Sequence, residues 1–259
     1  MQKKKLILII AAAALLLGCC ALLLIPGPTA GPEPTMEAAP TPMPTSAPTA
    51  EPAASPQPFE ITERFFDDAL FIGDSVTGML YSTVLAQGGL GEAEIVYANS
   101  LGCDSAVNGT RLLSYQGSFR NIPEVLRLSG ARKLFILLCA NDLAMYTEDI
   151  VADWQLLIDG IREEAPEVDI YIQSGTPAYS GIGGVNNENI LALNEQLRLL
   201  AEERDCVYVD IAKGMMDPEG KMREEYSSDH YIHFNSDGCL AWIAALKDPA
   251  SYSVPPTEN

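Results

Sequence analysis

From Phe59 onward, apolar positions alternate between two rhythms. Short, nearly continuous apolar runs occur at "ALFIG" (69–73), "AEIVYAN" (93–99), "KLFILLC" (133–139), "DIYIQSG" (169–175) and "CVYVDIA" (206–212). Runs of this length, rich in Ile, Val, Phe and Tyr, predict buried strands. Between them lie stretches with helical spacing: "SVTGMLYSTVLAQ" (75–87), "NIPEVLRLS" (121–129), "TEDIVADWQLLIDGIREEA" (147–165), "NENILALNEQLRLLAEERD" (187–205) and "SDGCLAWIAALK" (236–247). Gly88 and Gly89 should stop the first helix, Pro123 suits a first turn, and Thr147 is a plausible N-cap. A strand followed by a helix, repeated five times, predicts an α/β domain: a five-stranded parallel sheet covered on both faces, α/β/α. Ligands of such sheets bind at the carboxyl ends of the strands, so candidate chemistry belongs just after each strand.

The N-terminal residues follow neither rhythm. Lys3, Lys4 and Lys5 precede a run from Leu6 to Ile25 that is uncharged and mostly apolar, about the 20 residues a membrane-crossing helix requires. Positive charge on the short side keeps that side cytoplasmic and sends the rest outward. Residues 1–25 therefore read as a signal anchor, or as a lipoprotein signal in which "LLLGC" ends at Cys19. The apolar run continues beyond Cys19, which favours the anchor. Residues 26–58 are rich in Pro, Thr, Ala and Glu and cannot bury enough surface to fold, so they predict a stalk. The domain expected over 59–259 is long enough for a full core. Both versions of the N-terminus imply a membrane location with the domain on the extracytoplasmic face.

Charge narrows the choice of partner. Three lysines and three acidic residues precede position 59, so the domain keeps the whole net charge of −19. That balance argues against nucleic acid, whose phosphates need Lys and Arg. Cys103, Cys139, Cys206 and Cys239 form no CxxC pair, and their spacing assigns no disulfide.

The strand ends carry the candidate chemistry. "GDSVTG" follows the first strand, with Ser75 opening a helix. "NSLGCDS" follows the second, and "CANDL" the third. "SSDHYIHFN" (227–235) holds both histidines of the chain, His230 and His233. Singly these signals are weak: a Ser at a helix start is most often a cap, and Asn-Asp after a strand is usually turn chemistry. Together they place a hydroxyl, an amide and an imidazole along one sheet edge, the combination acyl transfer needs. The two histidines with Asp229 could instead hold a metal, although no further His exists to complete such a site.

In order and placement these blocks resemble the SGNH or GDSL hydrolases. "FIGDSVTG" is similar to the first family block and implies Ser75 as nucleophile. "NSLGC" resembles the second, implying the Gly102 N–H as an oxyanion donor, with Cys103 as the alternative. "CANDL" resembles Gly-x-Asn-Asp and implies Asn141 as the side-chain donor. "HYIHFN" lies where Asp-x-x-His is expected and implies His233 as base. The likeness spans about residues 65–246 and implies a flavodoxin-like fold with no cofactor. Two positions depart from the pattern. Cys139 replaces the glycine of the third block, where it could crowd the backbone near Asn141. His230 takes the acid's position, leaving either Asp229, one residue further back, or a backbone carbonyl to orient His233.

The expected function is a membrane-tethered esterase acting outside the cytoplasm on acyl esters, O-acetyl esters above all, of a carbohydrate or lipid. Its partners would be a small-molecule or glycan ester and, through the N-terminus, a membrane. An O-acetyltransferase of the same fold and a binding domain with impaired chemistry are the alternatives. The α/β-hydrolase elbow is excluded, because Val76 and Thr77 follow Ser75 where Gly-x-Ser-x-Gly is required.

Overall fold

A computed structural model describes residues 61, 62 and 64–253. The expected anchor (1–25) and stalk (26–58) lie outside the described residues, among which no helix is long and apolar enough to cross a membrane. Strand β1 (Ala69–Gly73) leads directly into helix α1 (Ser75–Gln87). Strand β2 (Glu94–Tyr97) is followed by a short helix α2 (Cys103–Val107), a hairpin of β3 (Leu113–Tyr115) and β4 (Ser118–Arg120), and helix α3 (Ile122–Ser129). Then come β5 (Lys133–Leu137), α4 (Thr147–Glu164), β6 (Asp169–Gln173), α5 (Asn187–Glu203), β7 (Val207–Val209), α6 (Ser236–Lys247) and β8 (Tyr252–Ser253).

The sheet order is β2-β1-β5-β6-β7-β8. The first five strands are parallel, as expected, whereas β8 adds a sixth, antiparallel to β7 through Tyr208↔Ser253 and Val209↔Tyr252. Two residues are too few to show a period in sequence, so β8 becomes a strand only when β7 offers it an edge. The chain passes from β1 to one side and returns on the other to β5, leaving a crevice at their carboxyl ends.

Alternation along each strand divides the core. Leu70 and Ile72 face one layer with Trp154 and Ile158 of α4 and Leu193 and Leu197 of α5. Phe71 faces the other layer with Leu80 of α1 and Trp242 of α6. Register aligns Phe71 with Phe135 and Phe135 with Tyr171. Their rings stack at 4.5 and 4.3 Å, each pair within 12° of parallel. Buried aromatic pairs of this kind contribute about 0.5–1.5 kcal/mol each beyond area burial.

Local signals mostly set the helix ends. Gly88 closes α1 at φ 73°. Asn121 and Glu124 form a reciprocal capping box for α3, and left-handed Gly130 ends it. The expected N-cap at Thr147 is corrected: Tyr146 holds that position in extended backbone without a side-chain bond, and Thr147 is the first residue of α4. Glu148 and Asp149 in the first turn complement the positive end of the helix dipole.

Candidate active site

The turn from β1 into α1 sets Ser75. The Asp74 side chain caps the helix, accepting a hydrogen bond from the Val76 N–H at 2.9 Å. The first intrahelical bond runs from Gly78 N–H to Asp74 C=O. The Ser75 N–H, one of the helix's orphan donors, therefore lies beside the Ser75 hydroxyl. Gly73 makes the tight turn possible, because a Cβ there would lie 2.0 Å from Thr77 Oγ1 and 2.7 Å from Leu137 O.

The loop before α6 brings the imidazole. Ser75 Oγ lies 3.0 Å from His233 Nε2, and Asp229 Oδ2 lies 2.6 Å from His233 Nδ1. With the proton on Nδ1, the ring donates to Asp229 and accepts from the serine hydroxyl. Asp229 Oδ1 also accepts the backbone N–H groups of Tyr231 (2.8 Å) and His233 (3.2 Å). Burial pushes the Asp229 carboxyl upward, but the hydrogen bonds from the His233 ring and these two amides outweigh it and hold the group below its ordinary value.

His230 takes no part in the relay. It adopts φ 54°, and this left-handed residue absorbs the extra position between Asp229 and His233. Its ring packs edge-on to Tyr179 at 5.0 Å, while its carbonyl accepts the Ser180 hydroxyl at 2.6 Å. Tyr179 N–H donates to Tyr231 C=O. The histidine loop is thereby pinned to the loop after β6.

Asn141 and Gly102 are drawn to the same edge. One Asn141 carboxamide N–H donates to Asp74 Oδ2 at 2.9 Å and the other to Leu101 C=O at 3.1 Å. These acceptors immediately precede Ser75 and Gly102. The Gly102 N–H donates to Ser105 Oγ at 3.1 Å. The alternative donor, the Cys103 N–H, is committed to Asp142 Oδ2 at 2.8 Å. A Cβ at Gly102 would lie 2.2 Å from Asp142 Oδ1, so any larger residue there would have to displace that carboxylate.

Two buried carboxylates were missed in the sequence. Asp74 is fully enclosed. Desolvation raises its pKa from 3.8 to about 6 despite the Val76 N–H bond. Asp142 is buried and likewise raised by desolvation, against the hydrogen bonds of the Cys103 and Asp104 amides. Acidic residues directly after buried strands, in "GDS" and "ND", were the available signal.

Cys139 does not crowd Asn141. Its sulfur fills space opened by Gly175, where a Cβ would lie 2.3 Å from Cys139 Sγ. Asn194 then holds both polar groups of Gly175, accepting its N–H at 2.7 Å and donating to its carbonyl at 3.0 Å. All four cysteines of the domain are free and buried.

The fold is similar to that of known proteins. A GDSL-like lipase from Bacteroides thetaiotaomicron superposes with a TM-score of 0.56 and 14% identity, covering 69% of this chain and 85% of that one. An acetylxylan esterase from Geobacillus stearothermophilus, in a catalytic mutant, gives 0.51 and 13%, covering 73% and 96%. A carbohydrate esterase family 3 protein from Talaromyces cellulolyticus gives 0.51 and 12%, covering 69% and 93%. At these identities the likeness is one of fold. No curated protein matches the chain. The family model for the GDSL-like lipase/acylhydrolase family matches residues 71–240, from β1 into α6, and the chain belongs to that family, as a hydrolase acting on ester bonds.

Proposed function

We propose that the protein is a serine esterase that removes acyl groups, acetyl above all, from carbohydrate or lipid esters outside the cytoplasm, tethered by residues 1–25 and spaced by 26–58. The observation that carries the chemistry is the continuous relay Ser75–His233–Asp229. Two of the structural neighbours are carbohydrate esterases, which supports an O-acylated sugar as substrate.

In this reading His233 Nε2 takes the hydroxyl proton as Ser75 Oγ adds to the ester carbonyl. Asp229 holds the imidazole in the needed tautomer and stabilises the imidazolium. The tetrahedral oxygen, now negative, meets the Ser75 N–H at the positive end of α1. Asn141 supplies a second donor by turning the N–H now given to the neutral Leu101 carbonyl, while Asp74 keeps hold of the other. Gly102 supplies a third by releasing Ser105. Collapse of the intermediate breaks the ester C–O bond, and the alcohol leaves with the proton from His233. Water then adds to the acyl-serine, giving its proton to His233, and the acid departs as Ser75 is re-protonated.

A panel of p-nitrophenyl esters of increasing acyl length tests this together with labelling by a fluorophosphonate. The expected result is fastest turnover on acetate and one adduct, mapped to Ser75. An active sample labelled elsewhere would refute the assignment. Protease accessibility of the domain on intact cells tests its location.

A further inference from the structure

We infer that the open cleft between α1 and β2 is a subsite for a neutral sugar ring, a role that builds on the proposed esterase by naming what its substrate presents beyond the ester. The cleft has a volume of about 360 Å³, within the range of small-molecule sites. Tyr81 and Tyr97 line it with the backbone-proximal residues Val96 and Ala98, and Asn99 and Ser114 stand at its polar side. Every lining side chain is uncharged, although the protein carries a net charge of −19.

The two tyrosine rings lie 5.6 Å apart and inclined at 43°, each about one-third exposed. Tyr97 is held in place by a missing side chain. A Cβ on Gly78 would lie 2.7 Å from the Tyr97 ring, so the ring rests on bare helix backbone. Among the described residues, the hydroxyls of Tyr81, Tyr97 and Ser114 and the Asn99 carboxamide find no hydrogen-bond partner. A pair of aromatic faces bordered by unpaired amide and hydroxyl groups suits a ligand with an apolar C–H face and many hydroxyls. That is the chemistry of an uncharged sugar. An anion would meet no cation in the cleft, and a purely apolar chain would leave the polar groups desolvated and unpaired.

The cleft is joined to the catalytic edge by short, anchored backbone. Gly78 is three residues after Ser75, one turn along α1. Ala98 N–H donates to Gly73 C=O at 3.1 Å, which ties the cleft's floor to the turn that presents Ser75. Asn99 precedes Gly102 by three residues. A glycan bearing an ester at Ser75 can therefore seat another of its rings here.

The experiment separates binding from turnover. The full-length Ser75→Ala protein is titrated by calorimetry with a panel of unacylated neutral β-linked oligosaccharides and with a polyanionic oligosaccharide of equal length. At least one neutral member should bind saturably, and the polyanion at least tenfold more weakly. In the same background Tyr97→Ala and Tyr81→Ala should each weaken binding by about tenfold, the usual scale for truncating a contact tyrosine. Tyr97→Trp should retain binding, which excludes simple misfolding, and Leu85→Ala on the exposed face of α1 should not change it. No neutral binding, or binding indifferent to both tyrosines, overturns the inference. So does a result in which Tyr97→Ala spares oligosaccharide binding in the Ser75→Ala background but, made in the parent that keeps Ser75, slows an aryl-acyl ester, which would make the cleft an acyl pocket. Because Ser75→Ala needs no chemistry, this outcome stands apart from the esterase test: binding without any esterase activity in the parent would sink the proposed function and leave the cleft.

Discussion

Asp229 meets His233 Nδ1 at 2.6 Å across a turn one residue longer than the family's Asp-x-x-His. The surplus residue, His230, is accommodated at φ 54°, and the same carboxylate binds two amides of that turn. A carboxylate set one residue further back in sequence thus still reaches the imidazole.

The first expectation follows from that displacement. Asp229→Asn should lower kcat on p-nitrophenyl acetate by about 100- to 10,000-fold, since the tautomer and the imidazolium lose their partner. His233→Ala should abolish measurable turnover. His230→Ala should keep activity within a few-fold, and His230→Gly should do so too, because glycine accepts a positive φ without strain. A dead His230 variant beside an active His233 variant would reverse the assignment.

Asn141→Ala removes the carboxamide between Asp74 and Leu101. Loss of one oxyanion donor typically costs about 100- to 1000-fold in kcat, with KM nearly constant. Steady-state kinetics checks this alongside thermal melting. A lowered melting temperature with normal kcat would reduce Asn141 to a turn former.

Asp74 gives stability a defined dependence on pH. Its folded pKa is raised to about 6 from 3.8, so between these values the folded state keeps a proton that the unfolded state releases. The contribution is complete below about pH 4 and is lost as pH rises through about 6, after which the ionised group costs on the order of 3 kcal/mol. Asp74→Asn preserves a cap acceptor and should flatten this part of the curve. Urea unfolding at pH 4, 5, 6 and 7 measures it. Asp142 shifts in the same direction and keeps a residual slope in the variant. Asp229 is lowered, and its effect falls on the acid side of 3.8, outside the window. Identical slopes in parent and variant would remove Asp74 as the source.

Cys139 and Gly175 form a size-matched pair. Gly175→Ala places a methyl group 2.3 Å from Cys139 Sγ, and overpacking of this kind costs about 1–3 kcal/mol. Adding Cys139→Gly should restore most of the loss, giving a favourable coupling in a double-mutant cycle. Denaturant midpoints for the four proteins decide the matter, and additive effects would show that the two side chains do not compete for space.

The sequence by itself determined the scaffold and nominated Ser75 and His233, which the fold brings within hydrogen-bonding distance. Buried strands and amphipathic helices announce themselves through periodic burial, which is a local property. That is why β1, α1, α3 and α6 were legible nearly to the residue, and with them the placement of Ser75 and of the histidine loop on one edge. What the tertiary structure decided depends on partners remote in the chain. Strand β8 exists because β7 has an open edge. Asp74 and Asp142 matter because neighbouring elements exclude water from them. Cys139 is harmless because Gly175, on the adjacent strand end, has no side chain. That Asp229 meets His233 Nδ1 goes with the left-handed backbone at His230, which no pattern in the sequence marks. The Tyr81–Tyr97 cleft forms only where Gly78 lets a ring from β2 lie against α1. Such contacts depend on steric fit and dielectric between distant segments, which no periodic pattern along the chain encodes.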